Sequence, residues 1–427
     1  MRLLIVAFYF PPTGGGGVQR TLKFCKFLPE FGIDVHVLTP DDSKWFARDD
    51  RLLESVPEST TVHRCRFIGP RSSFRSDALR GRRGLGRLGV EARYAYQRAL
   101  IPDKATPWMT TALPAGIGIV RREAIDVVMS TSPPSSAHLV AESIATAARR
   151  PFVADFRDSW LDNPHRHYEK AAVRAKRAVI TRMASSVGRR SAALVAATGS
   201  IAQELSRMHP SAAHKTTVIE NGADFDDFEG LAYERNQRFT IVHAGSFFGH
   251  RTPATFLIAM QRLLERRPEL RGRLLARFIG ELRAEHREQA RRLGIDDAWR
   301  EEGFLPYAES IAAQRAADAL LLLIPHADGR GDAVLSGKVF EYVAARRPIL
   351  AAVPPNGAAA NLIRGIGSGR VADGGDAEAI SRELEALVDE WLAGGPADVV
   401  LSDEVRDRLS RRSRARELAR VLDGVGG

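Results

Sequence analysis

Apolar residues along this chain fall into short continuous runs, separated by stretches in which they recur at helical spacing. Leu3-Leu4-Ile5-Val6-Ala7-Phe8 is the first run, Val35-His36-Val37-Leu38 the second, and Ile125-Asp126-Val127-Val128-Met129-Ser130 a third. Runs without alternation are expected of parallel strands covered on both faces. Between the first two lie a loop, Pro11-Pro12-Thr13-Gly14-Gly15-Gly16-Gly17, and a helical pattern over residues 18–28. A strand, glycine loop, helix and second strand are the unit of a doubly wound α/β sheet. The same grammar continues. Residues 151–156 read as a strand, 166–192 as a long basic helix and 194–197 as a strand. Ser200 is the expected cap of a helix ending near residue 208.

After a strand and turn at Val218-Ile219-Glu220-Asn221-Gly222, the run from 224 to 237 is polar and irregular, as a domain boundary should be. The grammar then restarts. Strands are expected at 239–244, 274–279, 319–324 and 348–353, with helices over 253–266, 310–317, 377–393 and 404–423. The chain has 427 residues, more than one core usually serves. The expected division is 1–215 and 216–400, with a last helical segment, 401–427, that can cross back to the first domain.

Candidate chemistry sits where these strands end. Ser336-Gly337-Lys338-Val339-Phe340-Glu341-Tyr342 joins a polar loop to a short helix. Gly337 and Lys338 fall at the helix N-terminus, where free N–H groups and the dipole favour an anion. Glu341, three residues on, lies on nearly the same face. The pair suits a nucleotide-sugar diphosphate, or else it is an ordinary i,i+3 ion pair. Gly245-Ser246 and Gly280-Glu281 end two other strands, and Arg251 adds charge nearby in sequence. The Gly14–Gly17 loop matches neither phosphate signature; Gly15 and Gly16 either let a ligand approach or form a mobile turn. His138 begins a helix just beyond a strand end. Asp155, Arg157 and Asp158 either bridge one another or contact sugar hydroxyls. Asp224-Phe225-Asp226 has the spacing of metal-dependent sugar transferases but lies in the irregular linker.

Composition narrows the partners. Hydrophobic residues make up 44% and charged residues 27%, as in a soluble globular protein. The only cysteines are Cys25 and Cys65, too few for a disulfide framework and consistent with a reducing cytoplasm. No apolar stretch approaches the roughly 20 residues of a spanning helix, and no secretory signal is evident. The net charge of +10 favours an anionic partner. From Arg64 to Lys104 eleven basic residues face three acids. The arginine-rich insert at 70–104 is either a solvated surface or an interfacial element at anionic lipid. Nucleic acid is not expected, because no recognition motif accompanies the charge.

Six short segments, in order, resemble those of glycosyltransferase family 4. They are FPPTGGGGVQR near the start, STSPPSSAHL around His138, ADFRDSW over Asp155 to Trp160, VIENG at Asn221, HAGSF at Gly245, and SGKVFEYVAARRPIL. The resemblance spans roughly residues 1–352. It implies the GT-B architecture, two Rossmann-like doubly wound domains facing a central cleft, and retaining transfer from a nucleotide-diphosphate sugar to an acceptor hydroxyl. By that analogy Glu341 holds the donor ribose. Lys338 and Arg251 neutralise the diphosphate, helped by backbone at Gly245, Ser246, Gly280, Ser336 and Gly337. His138 approaches the transferred sugar. The glycine loop closes on donor and acceptor, and Asp158, with Asp155 and Arg157, contacts the acceptor. No cofactor or metal is expected, since lysine and arginine take the place of Mg²⁺. A sugar or lipid-linked acceptor in cell-surface polysaccharide or glycoconjugate assembly fits the basic insert, with the protein in the cytoplasm or peripheral at the inner face of the membrane. A small soluble acceptor, a non-catalytic binder and a nucleotide-sugar epimerase are the other readings. One departure stands out: where the family often has a first glutamate, eight residues before Glu341, this chain has Ala333. Asp332 is its nearest substitute.

Overall fold

The computed structural model describes residues 1–41, 48–70, 85–160, 171–247, 250–327, 329, 331–395 and 398–426. Arg71, Arg75, Arg80, Arg82 and Arg83 of the basic insert, and the start of the long basic helix, lie outside the described residues. The chain divides into two compact units, Met1–Glu220 with Arg414–Gly427, and Asn221–Ser413.

The first unit alternates strands and helices: β1 (Arg2–Ala7), α1 (Gly16–Phe27), β2 (Asp34–Pro40), β3 (Thr61–Cys65), α2 (Leu85–Ala99), α3 (Met109–Arg122), β4 (Val127–Ser132), α4 (Ser136–Ala148), β5 (Phe152–Phe156), α5 (Ala171–Arg190), β6 (Ala193–Ala196), α6 (Gly199–Met208) and β7 (Thr216–Val218). The strands form one seven-stranded sheet in the order β3-β2-β1-β4-β5-β6-β7, parallel throughout. Every residue of β4 and β5 is buried, which is why their apolar residues do not alternate with exposed polar ones. One core, with Trp108, Val140, Ile144 and Phe156, covers one face of the sheet. The other, with Ile5, Phe24, Val35 and Met129, also takes in Ala415, Leu418, Ala419 and Leu422. Those four come from the last helix of the chain, at helical spacing.

The second unit repeats the plan with β8 (Phe239–Ala244), α7 (Ala254–Arg266), β9 (Leu274–Ile279), α8 (Ala284–Arg292), β10 (Trp299–Gly303), α9 (Tyr307–Arg315), β11 (Ala319–Leu323), α10 (Gly337–Ala344), β12 (Ile349–Val353), α11 (Ala358–Ile366), β13 (Gly369–Asp373), α12 (Ala377–Leu392) and α13 (Asp403–Leu409). Its parallel sheet runs β10-β9-β8-β11-β12-β13. In both sheets the strand order reverses beside the first strand, between β1 and β4 and between β8 and β11. Such a switch point opens a crevice at the carboxyl ends of the strands.

Two local expectations need correction. Thr198, not Ser200, caps α6: its hydroxyl accepts the Ile201 N–H, and Ser200 only hydrogen-bonds the Thr198 hydroxyl. The expected single helix over 404–423 is two. Ser410 takes an extended conformation between α13 and α14 (Arg411–Gly426), and Ala223 brackets the break by pairing with Leu409 and Arg411 backbone.

Candidate active site

The switch point of the second unit is built on bare backbone. The Gly245 N–H donates to Ile279 O and the Gly280 N–H to Gly303 O, each at 2.6 Å. Both glycines have positive φ, 135° at Gly245 and 118° at Gly280, a region other residues rarely occupy. A Cβ on Gly280 would lie 2.6 Å from the Gly245 carbonyl carbon and the Ser246 nitrogen, and a Cβ on Gly245 would fall on Cε and Nζ of Lys338. The ends of β8, β9 and β10 therefore meet only because side chains are missing, and the vacated space takes a lysine ammonium.

That lysine comes from the first turn of α10. Ser336 is its N-cap in extended conformation without a side-chain capping bond. Val339, Phe340, Tyr342 and Val343 face the core, which leaves Lys338 and Glu341 on the rim. The Tyr342 hydroxyl accepts the Ala244 N–H at 2.8 Å and ties the end of β8 to α10. Among the described residues Lys338 makes no hydrogen bond or ion pair, so the simple i,i+3 pair with Glu341 is not formed. Burial, reinforced by the charge of Arg251 and opposed by Glu341, pulls the Lys338 ammonium down to about 7. Burial likewise raises the Glu341 carboxyl, against the pull of Arg411 and Lys338. The Tyr307 hydroxyl donates to Asp227 at 2.8 Å beside it. His243, which the sequence did not single out, belongs to β8 itself, beside these groups. Its Nδ1 meets Leu321 O at 2.8 Å and its ring stacks on Phe247. Burial, with Lys338 next, lowers its pKa to about 3, so it is neutral.

The structure thus brings together Gly245, Gly280, Gly337, Lys338, Arg251 and Glu341. The Ser246 hydroxyl accepts the Glu281 N–H at 3.0 Å, which leaves its O–H as a donor. Asp332 is exposed, on the loop before α10, and its carbonyl accepts the Ala358 N–H. Asp224 belongs to a turn, where it accepts the Asp226 N–H, and among the described residues no group of three His, Cys, Asp or Glu could hold a metal.

The first unit corrects three expectations. Asp155 is fully buried and holds Arg20, with Nη2–Oδ1 2.9 Å and Nε–Oδ2 3.1 Å, and it also accepts the Thr131 hydroxyl. Arg20 donates on to Ile219 O and Glu220 O. Asp155 has no face left for an acceptor. Arg157 does not bridge it. Its guanidinium donates to Ser132 O, Pro133 O and Gly17 O and clamps the glycine loop to the end of β4. His138 is 0% exposed in the first turn of α4, stacked on Phe156, with Nδ1 2.6 Å from the Ser130 hydroxyl. Its Nε2 is buried without a partner, and burial lowers its pKa to about 3. A buried neutral ring supports the strand end and presents no exposed atom to a sugar.

Gly15, Gly16 and Asp158 are exposed. Beside Asp158 lies a pocket of about 180 Å³ lined by Tyr9, Asp103, Lys104, Pro133 and Ser135. Asp103 takes the Ser136 N–H and hydroxyl, both at 2.9 Å, and so caps α4 from outside the helix. Burial lowers Lys104 to about 8 against the charge of Asp103. Tyr9 and Lys104 were not singled out in the sequence; their only signal was position, one after β1 and one before α3.

A family model described as a glycosyl transferase 4-like domain matches residues 15–222. Comparison with curated proteins finds no match. Among solved structures, the chain is similar to HepE of Anabaena in complex with UDP and glucose, at 14% identity and TM-score 0.63, over 99% of this chain and 100% of that one. It is similar to WaaG, a glycosyltransferase involved in lipopolysaccharide biosynthesis, at 15% and 0.55, over 100% and 96%. It is also similar to a putative UDP-N-acetylglucosamine 2-epimerase of Listeria monocytogenes, at 10% and 0.55, over 99% and 96%. At these identities the likeness fixes the fold, and the reaction class rests on the matching domain. Residues 15–222 form a glycosyl transferase 4-like domain, and the chain is a glycosyltransferase of the GT-B fold.

Proposed function

We propose that this enzyme transfers a sugar, with retention, from a nucleotide-diphosphate sugar to an acceptor hydroxyl. The observation that carries the reading is the Lys338 ammonium, set against Gly245 at a strand-order switch point without a carboxylate partner. Departure of the nucleoside diphosphate builds charge on its β-phosphate. Fixed cations there stabilise the transition state more than the ground state. Lys338 and Arg251 supply that charge, so no metal is required. The backbone N–H of Gly337, at the N-terminus of α10, completes the cradle, and Glu341 accepts from the ribose hydroxyls. The bond from the sugar's anomeric carbon to the β-phosphate oxygen breaks. The acceptor oxygen bonds that carbon on the same face, and its proton passes to the departing phosphate. No protein nucleophile is needed.

UDP is the donor nucleotide to test first, because HepE is solved with UDP and glucose. The acceptor is lipid-linked, in the assembly of a cell-surface polysaccharide or glycoconjugate at an anionic membrane surface. Support comes from the basic insert. A thermal-shift screen over nucleoside diphosphates and their sugars tests the donor, since a ligand that binds only the folded form raises the melting temperature. Lys338→Ala should abolish the shift and cut turnover by at least tenfold. An unchanged shift removes the diphosphate role, and conversion of donor without any acceptor makes the enzyme an epimerase.

A further inference from the structure

Glu341 stands in an ionic cluster that the second unit builds from four separate elements. Glu341 and Asp227 are both half-buried carboxylates. Asp227 lies in the turn Phe225–Phe228 and accepts the Tyr307 hydroxyl of α9 at 2.8 Å. The Arg411 guanidinium acts on Glu341 and on Tyr307. Among the groups that favour an ionised Glu341 it comes first, ahead of Lys338 on the same helix and the Gln314 amide of α9, while Asp227 opposes it. Arg411 is only 6% exposed. It is also the first residue of α14, an end where the helix dipole disfavours a cation, and burial adds to that cost. The chain nevertheless fixes it there. The Arg411 N–H donates to Ala223 O at 2.8 Å and the Ala223 N–H to Leu409 O at 2.9 Å. Arg411 Nη1 donates to Asn221 Oδ1 at 3.2 Å. A Cβ on Gly222 would lie 2.7 Å from the Leu409 carbonyl oxygen, so the close approach of the two segments needs that glycine. All of these residues belong to the second unit.

We propose that Arg411 is a positioning residue of the donor site: it keeps Glu341 in the ionised form that accepts from ribose hydroxyls, and so makes the enzyme select a ribonucleotide donor over one without those hydroxyls. The inference rests on the reading that Glu341 faces the ribose. An ionised carboxylate is acceptor-only, whereas a protonated one turns one oxygen into a donor and suits a pair of hydroxyls less well. Burial drives Glu341 towards the protonated form, and Asp227 adds a like charge. Lys338 is a poor counterweight, because burial brings its own pKa to about 7 and its charge serves the diphosphate. An arginine keeps its charge throughout this range, with or without donor. The two carboxylates in turn offset the cost of holding a buried cation at the start of a helix.

The test compares the affinity of the full chain for UDP and for 2′,3′-dideoxy-UDP by calorimetry from pH 5 to 8. Both ligands carry the same diphosphate, so the titrations of Lys338 and of the phosphates cancel in the ratio. In the parent the ratio should be roughly tenfold or more at pH 7 and fall only on the acid side, as Glu341 takes up a proton. Arg411→Gln should move that fall to higher pH by about one unit or more, and Arg411→Lys should restore the parent profile. Asp227→Asn keeps an acceptor for Tyr307 and removes a like charge, so it should move the fall to lower pH; it tests the same balance if Arg411→Gln does not fold. An arginine that merely held the chain together would, when replaced, weaken both ligands alike and leave the profile in place. That result overturns the proposal, as does an unmoved profile in Asp227→Asn. A parent ratio near one at every pH takes Glu341 off the ribose, and the inference falls with it. A parent ratio of roughly tenfold with an unmoved profile in the variants overturns the inference alone and leaves the ribose reading standing.

Discussion

Lys338 offers the sharpest test of the proposed donor site, because its protonation and donor binding are the same event seen twice. In the ligand-free protein its pKa is about 7, held down by burial and by Arg251. A diphosphate beside it brings opposite charge and raises that pKa. Donor therefore binds the ammonium form. Below pH 7 the lysine is already charged and the affinity for UDP is flat. Above pH 7 each unit costs up to about tenfold, or about 1.4 kcal/mol, until the pKa of the complex is reached. Between pH 7 and 9 the loss approaches ~100-fold. The nucleotide's terminal phosphate, with a second pKa of about 6, is already about nine-tenths ionised at pH 7 and contributes little between pH 7 and 9. His243 stays neutral across it, since burial keeps its pKa near 3. The same displacement makes the ligand-free protein gain stability with rising pH. The unfolded chain, with an ordinary lysine, binds more protons than the folded one between pH 7 and the ordinary lysine value.

Calorimetric titration with UDP from pH 6.5 to 9, in two buffers of different ionisation heat, measures both the slope and the proton taken up. Uptake should approach one proton per UDP near pH 8.5. Lys338→Arg, which does not titrate, should bind with a flat profile; Lys338→Met should bind weakly with a flat profile. A parent dissociation constant that does not change between pH 7 and 9 would refute the placement of Lys338 on the diphosphate.

Three further substitutions probe the supports of both halves. Gly245→Ala puts a Cβ onto the Lys338 ammonium at a φ of 135°; it should cost about 1–3 kcal/mol of stability and at least tenfold in UDP affinity, read by urea melts and calorimetry. Tyr342→Phe leaves the Ala244 N–H without its acceptor, a loss of about 1–3 kcal/mol that should weaken UDP binding without changing the charge of the site. Asp155→Ala strands Arg20, which is 1% exposed, and should lower stability by about 3–5 kcal/mol; adding Arg20→Met should recover part of that loss, and a single variant within about 0.5 kcal/mol of the parent would contradict the pairing.

What was legible in the sequence follows burial. Strands covered on both faces, such as β1, β4, β8, β11 and β12, show apolar residues without an in/out alternation and were read as strands. Of the four edge strands only β7 was, from the end of its run at Val218. β3 is TVHRC, β10 is WREEG and β13 is GRVAD, all partly exposed and without a run to read. Helix α8, AEHREQARR, buries only His286 and Ala290 and gave no periodic signal either. In the site, the spacing of Lys338 and Glu341 within one helix was local and readable. What positions them was not: the Tyr342 hydroxyl reaches Ala244 from 98 residues away. Asp155 and Asp158 looked equivalent in one polar cluster, yet β5 ends between them. The residue inside the strand faces Arg20, and the one beyond it is exposed.

That contrast extends to the two switch points and bears on which half takes the diphosphate. In the first unit the polar groups at the strand ends are matched by the chain itself: Asp155 by Arg20 and Thr131, Arg157 by three carbonyls, Asp103 by the N-terminus of α4. In the second unit Lys338 is buried enough to lose much of its basicity and, among the described residues, has neither hydrogen bond nor ion pair. Lys338 is half-buried; a charge even partly withdrawn from water without a partner is costly, and such a group in a strand-end crevice is a candidate ligand contact. On the proposed reading, a diphosphate leaving group would supply the missing counter-charge in the second unit. In the first it would meet carboxylates and carbonyls already engaged, with Asp158 exposed beside them, an arrangement better suited to hydroxyls than to phosphate.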